Sequence, residues 1–403
     1  MTPDPTAPDP SRRATRAEID LDAVAHNVRH FASLPGTRAG VMAVVKANAY
    51  GHGALMVARA AIAAGASWLA VATVDEGVQL RRAGLDTPIL VLAPSDPAET
   101  PAAVTAGLTL AVGDLDEAMA IAAAARGTRE CPVTVHVEVD TGMHRFGVPA
   151  GVAAETVGRI ATTPGLRVGG LYHHFATADE TDRAFFEEQR ARFAAVVAGV
   201  RAAGIAVPLV HEDNSAAALT ASGPDCDLVR VGVALYGLSP SAEVPAPPAL
   251  RPVLTLRSRV ARVMDLAPGD SVSYGRTFRA DRPMRAALVP LGYGDGYRRA
   301  LSGRAAMLLG GRRAAVLGRV CMDQTIIAVP DGVSAHPGDD VVALGAQGDD
   351  RVAAEELASL AGTIGYEIGT GLGARLPRHY LRGGRVVAVE GVNGLVEYPP
   401  ESG

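Results

Sequence analysis

Apolar and polar positions repeat along this chain with two different periods. From about residue 41 to residue 237, short β-branched apolar runs alternate with alanine-rich segments of helical period, which predicts repeated βα units around a parallel sheet. Eight runs qualify as strands: "VMAVVKA", "WLAVAT", "PILVLA", "LTLAV", "VTVHVEVD", "RVGGLYHHF", "PLVHEDNS" and "LVRVGVALYG". The stretch "AEIDLDAVAHNVRHF" before them reads as an amphipathic helix. Eight parallel strands with intervening helices close most simply into a (β/α)8 barrel of the TIM type, an α/β fold; a doubly wound open sheet is the alternative.

The proline-rich segment "LSPSAEVPAPPALRP" marks a boundary near residue 245. Beyond it, short alternating runs are punctuated by Pro-Gly, Gly-Asp and Gly-Gly, which predicts a β-rich domain with one late helix at "AAEELASLAGTI". The expected organisation is a disordered lead-in over 1–13, a barrel over 14–245 and a β-rich domain over 246–403.

Composition narrows the function. Hydrophobic residues make up 48% and charged residues 20%, and no apolar stretch is long enough to span a bilayer. The proline-rich opening lacks the apolar core of a signal peptide, so a cytoplasmic location is expected, away from any membrane. A net charge of −5 offers no basic field for nucleic acid. Cys131, Cys226 and Cys321 are too scattered for a disulfide framework or a zinc site, and nothing has metal-ligand spacing.

One residue changes the picture. Lys46, in "GVMAVVKANAYGHGA", is the only lysine among 38 basic side chains. Arginine cannot shed its proton at ordinary pH, so a lone lysine at a strand end reads as an amine nucleophile of the Schiff-base kind. A chance solvated lysine is the bland alternative. Schiff-base chemistry implies a carbonyl cofactor, pyridoxal 5'-phosphate being the obvious one, and a cradle for its phosphate. Ser215, at the start of a helix in "HEDNSAAAL", and Gly232, in "VRVGVALYG", are candidates. Polar residues also gather at other strand ends: Asp140 with Arg145, His173 with His174, Asn214 and Arg230. His52 and His211 read as structural histidines, and "GYGDGY" lacks the context of a phosphate loop.

The motifs "AVVKANAYGHG", "VDTGMHRFG", "HHFATADE", "NSAA", "VRVGVALYG", "VSYGRTF", "GYGDGY" and "GRVCMDQ" occur in this order, and the chain from about residue 14 to residue 390 resembles alanine racemase. The resemblance implies a pyridoxal-phosphate barrel followed by a β domain, acting as a homodimer that interconverts L- and D-alanine, the latter feeding peptidoglycan. By motif, Lys46 matches the cofactor lysine and one acid/base, and Tyr274 the second base, supplied by the partner subunit. Arg230 matches the arginine at the pyridine nitrogen, His174 the histidine between it and the tyrosine, and Arg145 the arginine near the cofactor's phenolic oxygen and the substrate carboxylate. Tyr50, Asn214, Ser215, Gly232 and Val233 fall on the cofactor side. Met322 matches a partner residue whose backbone meets the substrate carboxylate, and Tyr293, Arg299 and Arg319 line the mouth through which substrate enters.

Racemisation takes a proton from one face of the α-carbon and returns one to the other, so two acid/bases on opposite sides are the economical arrangement. A cationic neighbourhood of Arg230 and His174 is expected to suit Tyr274 to that work. Two departures stand out. Many members of the family carry a carbamylated lysine where this chain has Glu138, whose carboxylate is expected to orient Arg145 without modification. Some carry a tyrosine where this chain has Ala374, which removes one contact and widens the substrate site toward serine. Two rival readings are a non-catalytic pyridoxal-phosphate carrier, which needs neither "VSYGRTF" nor "GRVCMDQ", and a decarboxylase, expected to set an acid where Arg230 stands.

Overall fold

The computed structural model describes residues 13–34, 39–220 and 226–398. The chain forms two compact units. One comprises Val24–Ala49 and Ala54–Arg251, the other the described residues of Met1–Ala23, Tyr50–Gly53 and Pro252–Gly403.

The chain opens with strand β1 (Arg16–Asp20) and helix α1 (Leu21–Ala32). The eight expected strands then follow as β2 (Gly40–Val44), β3 (Ala66–Val71), β4 (Ile89–Val91), β5 (Thr109–Val112), β6 (Val133–Asp140), β7 (Leu166–His173), β8 (Leu209–His211) and β9 (Leu228–Val231). Their order in the sheet is β9-β2-β3-β4-β5-β6-β7-β8, parallel throughout. The first and last members approach closure, since the Asp227 N–H donates to the Val210 carbonyl (2.7 Å) and the Arg230 N–H to the Asp213 carbonyl (2.9 Å). A parallel sheet covered on both faces needs apolar side chains on both, and β4, β5 and β9 are buried at every position. Helix α2 (Val74–Arg82) starts on a capping box between Thr73 and Glu76.

Histidines occupy part of the barrel interior. His136 on β6 and His211 on β8 are fully buried, with His136 Nδ1 2.8 Å from His211 Nε2. Room for the His136 ring comes from "RVGGLYHHF": a Cβ on Gly170 would lie 2.6 Å from His136 Nδ1.

In the β-rich unit, β10 (Leu254–Arg259) pairs antiparallel with β1 on one side and with β11 (Asp340–Gln347) on the other, and β12 (Arg378–Arg382) runs parallel to β1. Residues 16–20, expected inside the barrel domain, thus belong to the β-rich unit. The stretch "AEIDLDAVAHNVRHF" is not one helix, because burial alternates with period two through Arg16–Asp20 and only Leu21 begins the helical period. The late helix is present as α4 (Ala354–Ala361), and Gly365–Thr370 adds a second short one, α5. Between β9 and β8 lies α3 (Ser215–Thr220), on the barrel side. Of the expected lead-in, residues 1–12 lie outside the described residues, while the Arg13 guanidinium donates to Asp295 at 2.7 Å. No helix among the described residues is long and apolar enough to cross a membrane.

Candidate active site

Lys46 follows β2, and the backbone after it is unusual. Ala47, Asn48, Ala49 and Tyr50 all take the left-handed conformation, with φ between 52 and 54°. For residues carrying a Cβ this costs about 1–2 kcal/mol each, so the surroundings must hold it. The Ala49 N–H donates to the Val45 carbonyl (2.8 Å), the Ala54 N–H to Asn48 Oδ1 (2.8 Å), and the Ala47 N–H to Glu76 Oε1 (2.6 Å). Burial lowers the Lys46 pKa below the usual lysine range, and Arg145 and Arg230 push it the same way while Glu76 and Glu138 oppose them. A larger share of neutral amine at a given pH follows, which is what a nucleophile needs.

Arg230, on β9, is buried in a cage of carbonyls. Its Nη1 donates to His211 O (2.6 Å), and its Nη2 to His173 O (2.8 Å) and Glu212 O (3.0 Å). Ring nitrogens complete the cage: His211 Nδ1 lies 3.2 Å and His174 Nδ1 3.3 Å away. Guanidinium can only donate, so both Nδ1 atoms accept and the neutral rings carry their protons on Nε2. The Nε–H of Arg230 has no protein acceptor among the described residues. His174 is held well below the usual histidine pKa by burial and then by Arg230, Arg145 and Lys46. The cation expected from His174 is therefore absent; a neutral N–H donor stands there.

Asn214 and Ser215 divide their work. Asn214 Oδ1 caps α3 by accepting the N–H groups of Ala216 (3.1 Å) and Ala217 (3.0 Å). The Ser215 hydroxyl accepts the Gly232 N–H at 2.9 Å, which ties α3 to the end of β9 and leaves the hydroxyl proton available to an anion. Val233 opens the short turn that follows. Glu138, on β6, is buried; burial raises its pKa, against the Tyr172 hydroxyl and then Arg230 and Arg145. Arg145 itself is exposed on a loop shaped by Asp140, which accepts the N–H groups of Gly142 (2.9 Å) and His144 (3.0 Å). The barrel thus gathers Lys46, Glu138, Arg145, His174 and Arg230 at the carboxyl ends of its strands.

The remaining candidates lie in the β-rich unit. Tyr50 is buried there, its pKa pushed up to about 12 by burial. Tyr274 sits at the tip of a hairpin formed by Ser271–Val272 and Phe278–Arg279, and is 71% exposed. Ser273 before it has φ 64° and ψ −176°, a strained conformation held by its hydroxyl donating to Arg319 O at 2.6 Å. Arg319 leads into the loop of Met322, which is 52% exposed, and that loop meets the "GYGDGY" turn: the Tyr293 N–H donates to Cys321 O (3.0 Å) and the Gly294 N–H to Met322 O (2.8 Å). Arg299, also exposed, joins them, since Ser302 Oγ donates to its carbonyl (2.5 Å) and accepts the Val320 N–H (3.0 Å). In "GYGDGY" the buried Asp295 is saturated by Arg13, by Arg375 (2.8 Å) and by the Gly292 N–H (3.1 Å), so this turn is a structural clamp. Ala374 is exposed. The three cysteines are free, and no group of residues able to hold a metal occurs among the described residues.

Four participants escaped the sequence reading. His211 is structural as expected, yet it also bonds Arg230. Asp295 and Arg375 pin the loop of Met322. Glu76 was legible as the last residue of a T-x-x-E capping box, but its second bond, to Ala47, was not.

A barrel that gathers one activated amine, two guanidiniums and a neutral histidine at its strand ends is an enzyme's barrel. Comparison with known proteins makes the class specific. Residues 19–240 match the alanine racemase N-terminal domain and residues 253–380 the alanine racemase C-terminal domain. The chain is 43% identical over 368 residues to the alanine racemase of Symbiobacterium thermophilum, covering 91% of this chain and 97% of that protein. It is similar to the crystal structure of alanine racemase from Bacillus anthracis with bound L-Ala-P (TM-score 0.88, 38% identity, 94% and 98% coverage). Alanine racemase from Streptomyces coelicolor A3(2) is similar too (TM-score 0.84, 39% identity, 92% and 98% coverage). The chain belongs to the alanine racemase family, and it is an isomerase that racemises alanine.

Proposed function

We propose that the enzyme works as a homodimer with pyridoxal 5'-phosphate held by Lys46, using Lys46 and the partner's Tyr274 as two bases on opposite faces of the substrate. When bound, the cofactor supplies the electron sink that lets the α-proton leave. The observation that carries this reading is the lone lysine at a barrel mouth, its amine disposed to lose a proton and flanked by Arg145 and Arg230. The residues present fit the cofactor. The free Nε–H of Arg230 is the donor left for a ring nitrogen, and a guanidinium gives that nitrogen no proton, which restrains side reactions of the electron sink. The Ser215 hydroxyl and the backbone around Gly232 and Val233 suit the phosphate, with Asn214 fixing Ser215.

Arg145 and the Met322 backbone would receive the substrate carboxylate, with Glu138 opposing Arg145 in charge and orienting it. Tyr293, Arg299 and Arg319 would line the approach. The exposure of Tyr274, Met322 and Tyr293 (41%) supports a partner that covers them. The His174 N–H on Nε2 would donate to the tyrosine oxygen and so steady it between protonation states. A cytoplasmic site, with D-alanine delivered to peptidoglycan, fits this chemistry. Ala374 supports a second reading, in which serine is also racemised, because a methyl replaces the phenol found in some relatives. Incubating purified enzyme with L-alanine and with L-serine, followed by chiral chromatography, separates the readings. Racemisation of neither amino acid would refute both.

A further inference from the structure

We infer that Glu76 is a positioning residue for Lys46: its carboxylate ties the strained left-handed backbone after the lysine to the amino end of α2, and so fixes where the amine stands. The inference rests on Lys46 as the cofactor lysine.

An ordinary capping box spends the glutamate on the N-cap, and here Oε2 does that, accepting the N–H groups of Ala72 (2.8 Å) and Thr73 (3.2 Å). Oε1 goes elsewhere. It accepts the Ala47 N–H at 2.6 Å, from the segment that follows the neighbouring strand. β2 and β3 lie side by side, with Met42 opposite Trp68 and the Val45 N–H donating to Ala70 O at 2.8 Å, so their carboxyl ends present both donors to one carboxylate. Ala47 is exposed, and water would satisfy its amide. The bond is thus not needed for hydrogen-bond accounting; it restrains the first of four left-handed residues, none of them glycine. Glu76 also acts on Lys46 through its charge, against Arg145 and Arg230.

The single lysine makes the test clean. In the apoenzyme, the only amines open to trinitrobenzenesulfonate are Lys46 and the N-terminal amine, and peptide mapping separates these two from each other and from adducts on the three free cysteines. Removing the carboxylate in Glu76→Gln or Glu76→Ala takes away a charge that favours the protonated amine, so the rate–pH profile of Lys46 modification should move to lower pH. In the holoenzyme, kcat should fall roughly tenfold in Glu76→Gln and further in Glu76→Ala, with KM within about twofold. Adding Ala47→Gly to Glu76→Ala should restore several-fold of the loss, since glycine enters the left-handed region without penalty. Thr73→Ala, which breaks the cap but keeps the bond to Ala47, should leave the Lys46 profile in place. An unmoved profile in both Glu76 variants, or an equal shift in Thr73→Ala, would reduce Glu76 to a helix cap. Failure of the cofactor reading looks different, because borohydride reduction of the unmutated holoenzyme would then leave no label on Lys46.

Discussion

Nη2 of Arg230 lies 3.3 Å from Nδ1 of His174, and this contact decides which form of the histidine the site contains. The guanidinium donates, Nδ1 accepts, and the proton sits on Nε2. His174→Leu keeps the bulk and deletes that donor. In the shared site proposed above, kcat should drop about a hundredfold while the bound cofactor keeps its visible absorbance. His174→Gln, which can present an amide N–H, should recover part of the loss. Wild-type turnover in the leucine variant would remove His174 from the proton path.

Subunit mixing tests the sharing itself. Lys46→Ala chains and Tyr274→Phe chains are each expected to be nearly inactive as homodimers. In a mixed dimer, one site collects both defects and the other neither. Random exchange of equal amounts makes half the dimers mixed, each with one intact site of two, so roughly a quarter of wild-type activity should return. No recovery despite demonstrated exchange would place both residues in one chain.

In the role proposed above, Glu138 orients Arg145 without modification, so added bicarbonate should not change activity. Glu138→Gln preserves the shape and leaves Arg145 and Arg230 without their buried counter-charge. The KM for alanine should rise roughly tenfold, more than kcat falls. Equal kinetics in the two proteins would show that the charge is idle.

Acid should loosen the barrel before the rest of the chemistry is lost. Burial drives His136 down to about 3, and burial, aided by the neighbouring guanidinium of Arg230, holds His173, His174 and His211 well below the ordinary 6.5; His136 adds to the effect on His211. These rings stay neutral in the fold, whereas unfolded histidine gains a proton as pH drops through 6.5. The unfolded chain then binds more protons, so stability declines with falling pH, by at most about 1.4 kcal/mol per histidine for each pH unit. Urea midpoints measured from pH 7 to pH 5 should fall steadily. A flat series would mean that the rings are hydrated and titrate normally.

The eight barrel strands were legible because each is a contiguous β-branched run whose burial needs no distant information, and Lys46 because it breaks a strong arginine preference. β1 was not, since its strand character shows only against β10 and β12, far along the chain. The left-handed run was invisible for a different reason. Ala-Asn-Ala-Tyr has none of the glycine that normally announces such a backbone, and three hydrogen bonds supply what sequence preference does not. Asn214 shows what a motif leaves out: the motif places it beside the cofactor, and the structure adds that its side-chain oxygen caps α3.

The place of β1 between β10 and β12 sets an order of events during synthesis. A ribosome adds about 5–20 residues per second, so every barrel strand has emerged before either neighbour of β1 exists. The barrel can fold on the nascent chain, whereas the β-rich sheet must wait until β12 is made while its first strand stands idle. Deleting Arg16–Asp20 would leave β10 and β12 as two bare edges, each a template for a stranger's strand. Such a truncation should therefore show itself as aggregation in expression trials, before any assay of activity becomes possible.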